Sequence, residues 1–210
     1  MPKTNFRAPR FAAWLVALVA IIAFGWTGAS VGASAPEPSG KPPRWELKFE
    51  IQKDLRLIEI DDEFYWFMTY LVTNRTRNDQ LFVPDAVLYA DDGTIVREGE
   101  GVPLDVVDRL QELLANPLLE SSTEIIGTLR QGAENAREGL FVWRAGSLDI
   151  DEVALFIAGV SSETQELAHP ITGEPIILRK TLERRYDAPG NPAADLRSPV
   201  FFRSQRWIMR

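Results

Sequence analysis

His169 is the only histidine of the chain, and there is no cysteine. Nucleophilic and zinc chemistry lean on these two residue types, so either would have to run through one imidazole. Ser161, Ser162 and Glu163 lie upstream of His169, but no Gly-x-Ser-x-Gly elbow presents a serine to it. A lone histidine before Pro170 reads as a solvated loop residue. Acidic clusters are better supplied: Asp61-Asp62-Glu63, Asp91-Asp92, and Asp149 with Asp151 and Glu152. Calcium takes about six to eight oxygens, and its loops space acids over a longer array with an internal glycine. None of the clusters has that spacing, and aspartate between strands is a favoured turn residue. Asp149 and Asp151 are the best of this weak set. With 30 acidic residues, some carboxylate pair for glycoside chemistry always exists and carries no specificity. No catalytic residue, metal or cofactor is assigned, and the chain is read as non-enzymatic.

Binding chemistry has more to draw on. Arg179, Lys180, Arg184 and Arg185 crowd one predicted strand, and Arg203, Arg206 and Arg210 the last one. Neighbouring strands would merge them into a basic stripe, although cross-strand pairing with Glu and Asp accounts for the same residues. Phe64-Tyr65-Trp66-Phe67 could stack sugars, but a strand packed on both faces explains the run without a ligand. Asn74-Arg75-Thr76 matches a glycosylation acceptor and equally a polar turn, and the turn is preferred.

Position comes from the start of the chain. Lys3, Arg7 and Arg10 precede 25 uncharged residues, Phe11 to Ala35. The apolar core Phe11 to Phe24 is shorter than the ~18 residues of a membrane span. The small, weakly polar stretch after it resembles a cleavage region, with Val31-Gly32-Ala33 before Ser34. Residues 1–35 are thus expected to be a signal peptide or an N-terminal membrane anchor, and either delivers the rest outside the cytoplasm. Beyond residue 35 the chain holds 20 basic against 30 acidic side chains, a formal charge of −10. That balance argues against nucleic acid and anionic membrane surfaces as partners. Membrane contact is left to the N-terminal segment, if it is uncleaved.

These features must be positioned by elements the pattern lays out clearly. Pro36, Pro38, Pro42 and Pro43 make residues 36–44 a stiff linker, and one domain fills residues 45–210. Trp45, Leu47, Phe49 and Ile51 alternate with charged residues as a half-buried strand, and the phase slips near Arg56 to Ile58 as at a bulge. Glu63 to Thr73 is apolar on its even face and partly so on its odd face, which predicts a central strand. Short strands follow at 81–83, 86–89 and 94–97, with Asp91-Asp92-Gly93 as a hairpin turn. Leu104, Val107, Leu110 and Leu114 recur at helical spacing, so one amphipathic helix spans Leu104 to Leu114. Thr123 to Leu129 reads as strand or helix. Strands return at 139–143, 153–158, 176–186 and 200–209. The whole predicts a mainly β, two-sheet sandwich with one inserted helix.

The aromatic strand ending Leu71-Val72-Thr73-Asn74, the Asp91-Asp92-Gly93 hairpin, Gly132 and then Gly139-Leu140-Phe141-Val142-Trp143 resemble exported bacterial immunoglobulin-like modules. More narrowly, Arg206-Trp207-Ile208-Met209-Arg210 resembles the end of an uncharacterised group of such exported proteins. The resemblance implies an immunoglobulin-like sandwich and brings no site residues. The function expected is a binding or scaffolding module of the cell envelope, with a protein or a polysaccharide as partner. A carbohydrate-binding or polysaccharide-acting domain is the alternative. The expected interaction surface is the odd face of the central strand with the helix beside it: Tyr65, Phe67, Leu71, Leu110 and Leu114. The helix itself is expected to lie over Tyr65, Phe67 and Leu71.

Overall fold

The computed structural model describes residues 36–41, 43–188 and 200–210; the expected export segment, residues 1–35, lies outside them. No helix among the described residues is long and apolar enough to cross a membrane.

The chain is mainly β. One sheet runs in the order β1 (Lys48–Ile60), β2 (Glu63–Thr73), β8 (Arg137–Arg144), β6 (Leu119–Ser121). The second runs β5 (Ile95–Arg97), β4 (Asp85–Ala90), β9 (Glu152–Ala158), β11 (Pro175–Asp187). β11 is long enough to continue past β9 and pair with β10 (Thr164–Ala168), while β12 (Phe201–Met209) takes its opposite edge. A small two-stranded sheet joins β3 (Gln80–Phe82) to β7 (Gly127–Leu129). The pairs are antiparallel except β6 with β8.

The even face of β2 does what its alternation predicts. Trp66, Met68, Tyr70 and Val72 are buried against Phe141 and Trp143 of β8, Leu88 of β4, and Leu155 and Ile157 of β9. The two large sheets therefore face each other across one apolar core. Tyr70 lies flat against β8 because position 139 is glycine: a Cβ there would stand 2.1 Å from its ring. Its ring stacks between Phe49 and Phe141, at centroid distances of 4.7 and 4.4 Å. Burial pushes the Tyr70 hydroxyl far above its usual range.

α1 (Leu104–Leu114) covers the odd face of β2. Val106 and Leu110 are buried with Tyr65, Phe67, Leu119, Leu140 and Val142, and Val107 and Leu114 pack at the edge. The stripe is rotated from the predicted one, because Leu104 is 80% exposed and Val106 takes the inward place. Leu71 is half-buried and lies outside this cluster. Ala115, in the left-handed conformation (φ 50°), ends the helix before Asn116-Pro117.

Several local expectations shift. The irregularity in β1 falls between Ile51 and Arg56, earlier than expected, where Lys53 N–H bonds the Thr69 hydroxyl at 3.0 Å. Of the 123–129 stretch only Gly127–Leu129 is strand. β6 and β10 carry no alternation that marked them as strands; neighbours recruit them.

Candidate functional site

The expected interaction surface is an internal joint. Tyr65, Phe67 and Leu110 are 2%, 6% and 0% exposed, Leu114 packs at their margin and Leu71 is half-covered. With Trp66 at 1%, three of the four rings of the aromatic run are closed to a sugar, and Phe64 is half-buried at the edge of the core.

The cations on β11 and β12 do become neighbours, yet they make no stripe. Arg184 points inward at 7% exposure and grips Asp54 with Nη2, at 2.9 and 3.1 Å to the two oxygens. Its Nε donates to the Tyr186 hydroxyl at 2.7 Å, and its guanidinium stacks 4.4 Å from the Phe202 ring centre. On the outer face, Arg185 and Arg206 both clamp the buried Glu183. Arg203 pairs with Glu152 at 2.6 Å. Arg210 lies over Tyr89 and Phe156, 4.5 and 4.1 Å from their ring centres. Pairing with Asp and Glu takes up Lys180, Arg184, Arg185, Arg203 and Arg206, while Arg179 and Arg210 form no ion pair among the described residues.

Glu183 makes stability depend on acid. Burial pushes its carboxyl up, but hydrogen bonds from Arg206 and Arg185 and their charges outweigh this and hold it below its usual 4.5. A carboxylate with a lowered folded value stabilises fully above its unfolded value, and that contribution is lost as pH falls through the folded one. Glu183→Gln should therefore unfold at lower urea than the parent at pH 7, with the gap closing below about pH 4.5.

The acidic clusters serve turns. Asp61 and Asp62 both take positive φ (53° and 62°) and close the β1–β2 hairpin. Asp92 Oδ1 accepts from Thr94 N–H at 2.8 Å, and Asp151 N–H bonds Asp91 Oδ2 at 3.1 Å. Among the described residues no group of His, Asp and Glu is spaced to hold a metal ion. His169 Nδ1 accepts from the backbone N–H of Thr172 at 3.1 Å, inside the β10–β11 turn.

Asn74 is wholly buried, so it is no glycan acceptor in the folded domain. Its Nδ2 donates to the carbonyls of Asn78 and Leu129, both at 2.9 Å, and its Oδ1 accepts from the N–H and hydroxyl of Thr76 at 2.9 and 2.7 Å. The turn carrying Arg77 is thereby fixed. Asn74→Ala strips those partners and leaves the Leu129 carbonyl without its donor. The expected loss is about 2–4 kcal/mol, read from denaturant midpoints.

Among the described residues, the two roomiest of the clefts that flank the sandwich differ in charge. One, of about 750 Å3, lies beside α1 and is lined by Asp108, Glu112, Glu120 and Glu124. Glu120 pairs with Arg137 at 2.7 Å, and Glu124 accepts from Ser121 N–H at 2.8 Å. The other, of about 710 Å3, opens between residues 39–41 and 43–46 on one side and residues 76–80 on the other. Lys41, Arg44, Arg77 and Lys180 line it, with Trp45 and one acid, Glu46. The chain that carries Lys41 and Arg44 is held in place. Pro36 C=O accepts from Met209 N–H at 2.8 Å, and Ser39 donates its N–H and hydroxyl to Glu163 at 2.6 and 2.9 Å. Trp45 and Ser162 exchange backbone and hydroxyl bonds of 3.0 to 3.1 Å. Sequence reasoning missed this cleft: its two walls lie some 30 residues apart, one in a proline-rich linker and one in a polar turn, and no periodicity links them.

The chain matches no protein-family model, no curated protein and no solved structure.

Proposed function

We propose that the chain is a non-catalytic, extracytoplasmic module of the cell envelope that holds or scaffolds another macromolecule there. The observation that carries this reading is the closure of the aromatic strand: Tyr65, Trp66 and Phe67 are all buried. Catalysis on a polysaccharide would want those rings open in a groove with two facing carboxylates. Their burial makes β2 the spine of a scaffold and moves any contact to the rim.

The strand orders β1-β2-β8-β6 and β5-β4-β9-β11 follow the A-B-E-D and C′-C-F-G plan of immunoglobulin-like sandwiches. The parallel β6, β10, β12 and α1 are departures from that plan. Such modules present loops and edges at their ends for recognition. Delivery outside the cytoplasm is supported by Lys3, Arg7 and Arg10 ahead of the uncharged run, acting as signal peptide or anchor.

The test is sedimentation of the purified domain with an insoluble bacterial cell-wall fraction, with the supernatant assayed for soluble sugar. Co-sedimentation without sugar release is expected. Release of soluble saccharide, or a domain left wholly in the supernatant, overturns the reading.

A further inference from the structure

The basic cleft deepens the binding reading and rests on it. Lys180 is neutralised within the domain, its Nζ 2.6 Å from Glu46 and 3.5 Å from the buried Glu163, with Trp207 beneath it at 5.0 Å. Lys41, Arg44 and Arg77 are different. All are exposed, all line the cleft, and among the described residues none forms an ion pair. Residues beyond 35 carry a formal −10. Lys53, Arg56, Arg75, Arg130, Arg179 and Arg210 also form no ion pair among the described residues, but none of them lines this cleft, and what sets Lys41, Arg44 and Arg77 apart is their convergence on one concavity. Lys41 and Arg44 of one segment and Arg77 of another line one concavity and repel one another there, and no carboxylate among the described residues pairs with them. Their counter-charge is therefore sought in a ligand.

The remaining lining says what kind. Trp45 is half-buried and offers part of an apolar ring surface beside the cations. The Asn78 side-chain amide makes no hydrogen bond among the described residues. Gln80 spends its Nε2 on the Thr76 hydroxyl at 3.1 Å, and its Oε1 accepts no hydrogen bond among the described residues. Guanidinium groups suit carboxylate or phosphate, amides suit hydroxyls, and an indole suits the apolar face of a sugar ring. The volume, about 710 Å3, lies within the ~300–1,000 Å3 of small-ligand sites. Both walls are fixed beforehand, one by the Ser39–Glu163 bonds and one by Asn74, so little order is lost on binding.

We propose that the cleft lined by Lys41, Arg44, Trp45 and Arg77 is a binding site for an acidic glycan. Lys41, Arg44 and Arg77 take its carboxylates or phosphates, and a sugar face lies on Trp45.

The experiment is calorimetric titration of the domain with oligogalacturonate, phosphorylated dextran, maltohexaose, poly-glutamate and phosphatidylglycerol vesicles at low salt. Oligogalacturonate or phosphorylated dextran should bind and weaken as salt rises, and whichever is tighter identifies the anion. The double variant Arg44→Ala, Arg77→Ala should keep the parent's melting temperature, because both side chains are exposed. It should lose at least about tenfold in affinity, the equivalent of one charge-assisted hydrogen bond. Arg75→Ala, in the same turn but outside the cleft, should stay within about twofold. The proposal is overturned if maltohexaose or poly-glutamate binds equally well, if only the vesicles bind, or if the double variant binds like the parent. It is also overturned if the protein alone forms oligomers that the double variant abolishes, since the acidic cleft of a second copy would then be the occupant. A domain that sediments with cell wall yet ignores both acidic glycans leaves the binding reading standing and removes this site.

Discussion

Leu110→Asp, alone or with Leu114→Asp, lowers the stability of the domain by more than about 4 kcal/mol, the range reached when a charge is forced into a packed interior. Leu110 is completely buried, with Val106, Leu119, Leu140 and Val142 around it and Tyr65 and Phe67 below. An 11-residue helix is marginal in water without such a contact. The aspartate must either be buried, or drag the helix off and open the odd face of β2 to solvent. Both outcomes lower the melting temperature, and the second also raises binding of a hydrophobic dye. A double variant as stable as the parent would make α1 a loosely held element, and Tyr65 and Phe67 a surface after all.

Trp66→Ala costs about 3–5 kcal/mol by the usual reckoning for large aromatics in packed interiors. Trp66 is 1% exposed, sits opposite Trp143 in the β2–β8 register, and belongs to the core shared by both sheets. Lys48→Ala on the neighbouring strand, its side chain 37% exposed beside Glu50, should move stability by no more than about 0.5 kcal/mol. Denaturant unfolding of the two variants side by side tests the register. If Trp66→Ala melts like the parent, the even face of β2 is not the core shared by the two sheets and the register is wrong.

The sequence was most readable where burial imposes a period. β2 spans the residues its alternation predicts, Glu63–Thr73, and α1 spans Leu104–Leu114. The helix phase was less so: Val106 and Val107 are both apolar, and only the position of Tyr65 and Phe67 decides which turns inward. β10 was unreadable because Thr164, Glu166 and Ala168 bury nothing; the strand exists through its ladder to Pro175–Arg179. The inward Arg184 was hidden for the opposite reason. Its charge reads as surface, and its burial depends on the counter-charge of Asp54, from 130 residues away, with the Tyr186 hydroxyl and the Phe202 ring beside it. The basic cleft needed Arg44 and Arg77 to meet, which depends on a buried asparagine and a serine latch rather than on any pattern.

Hydrogen exchange of the domain with and without oligogalacturonate tests the central claim most directly, because it locates the contact. Slowed exchange confined to residues 39–46 and 76–80, with α1 unchanged, is the predicted result. Slowing over α1 with none at the cleft would contradict it and return the contact to the helix face.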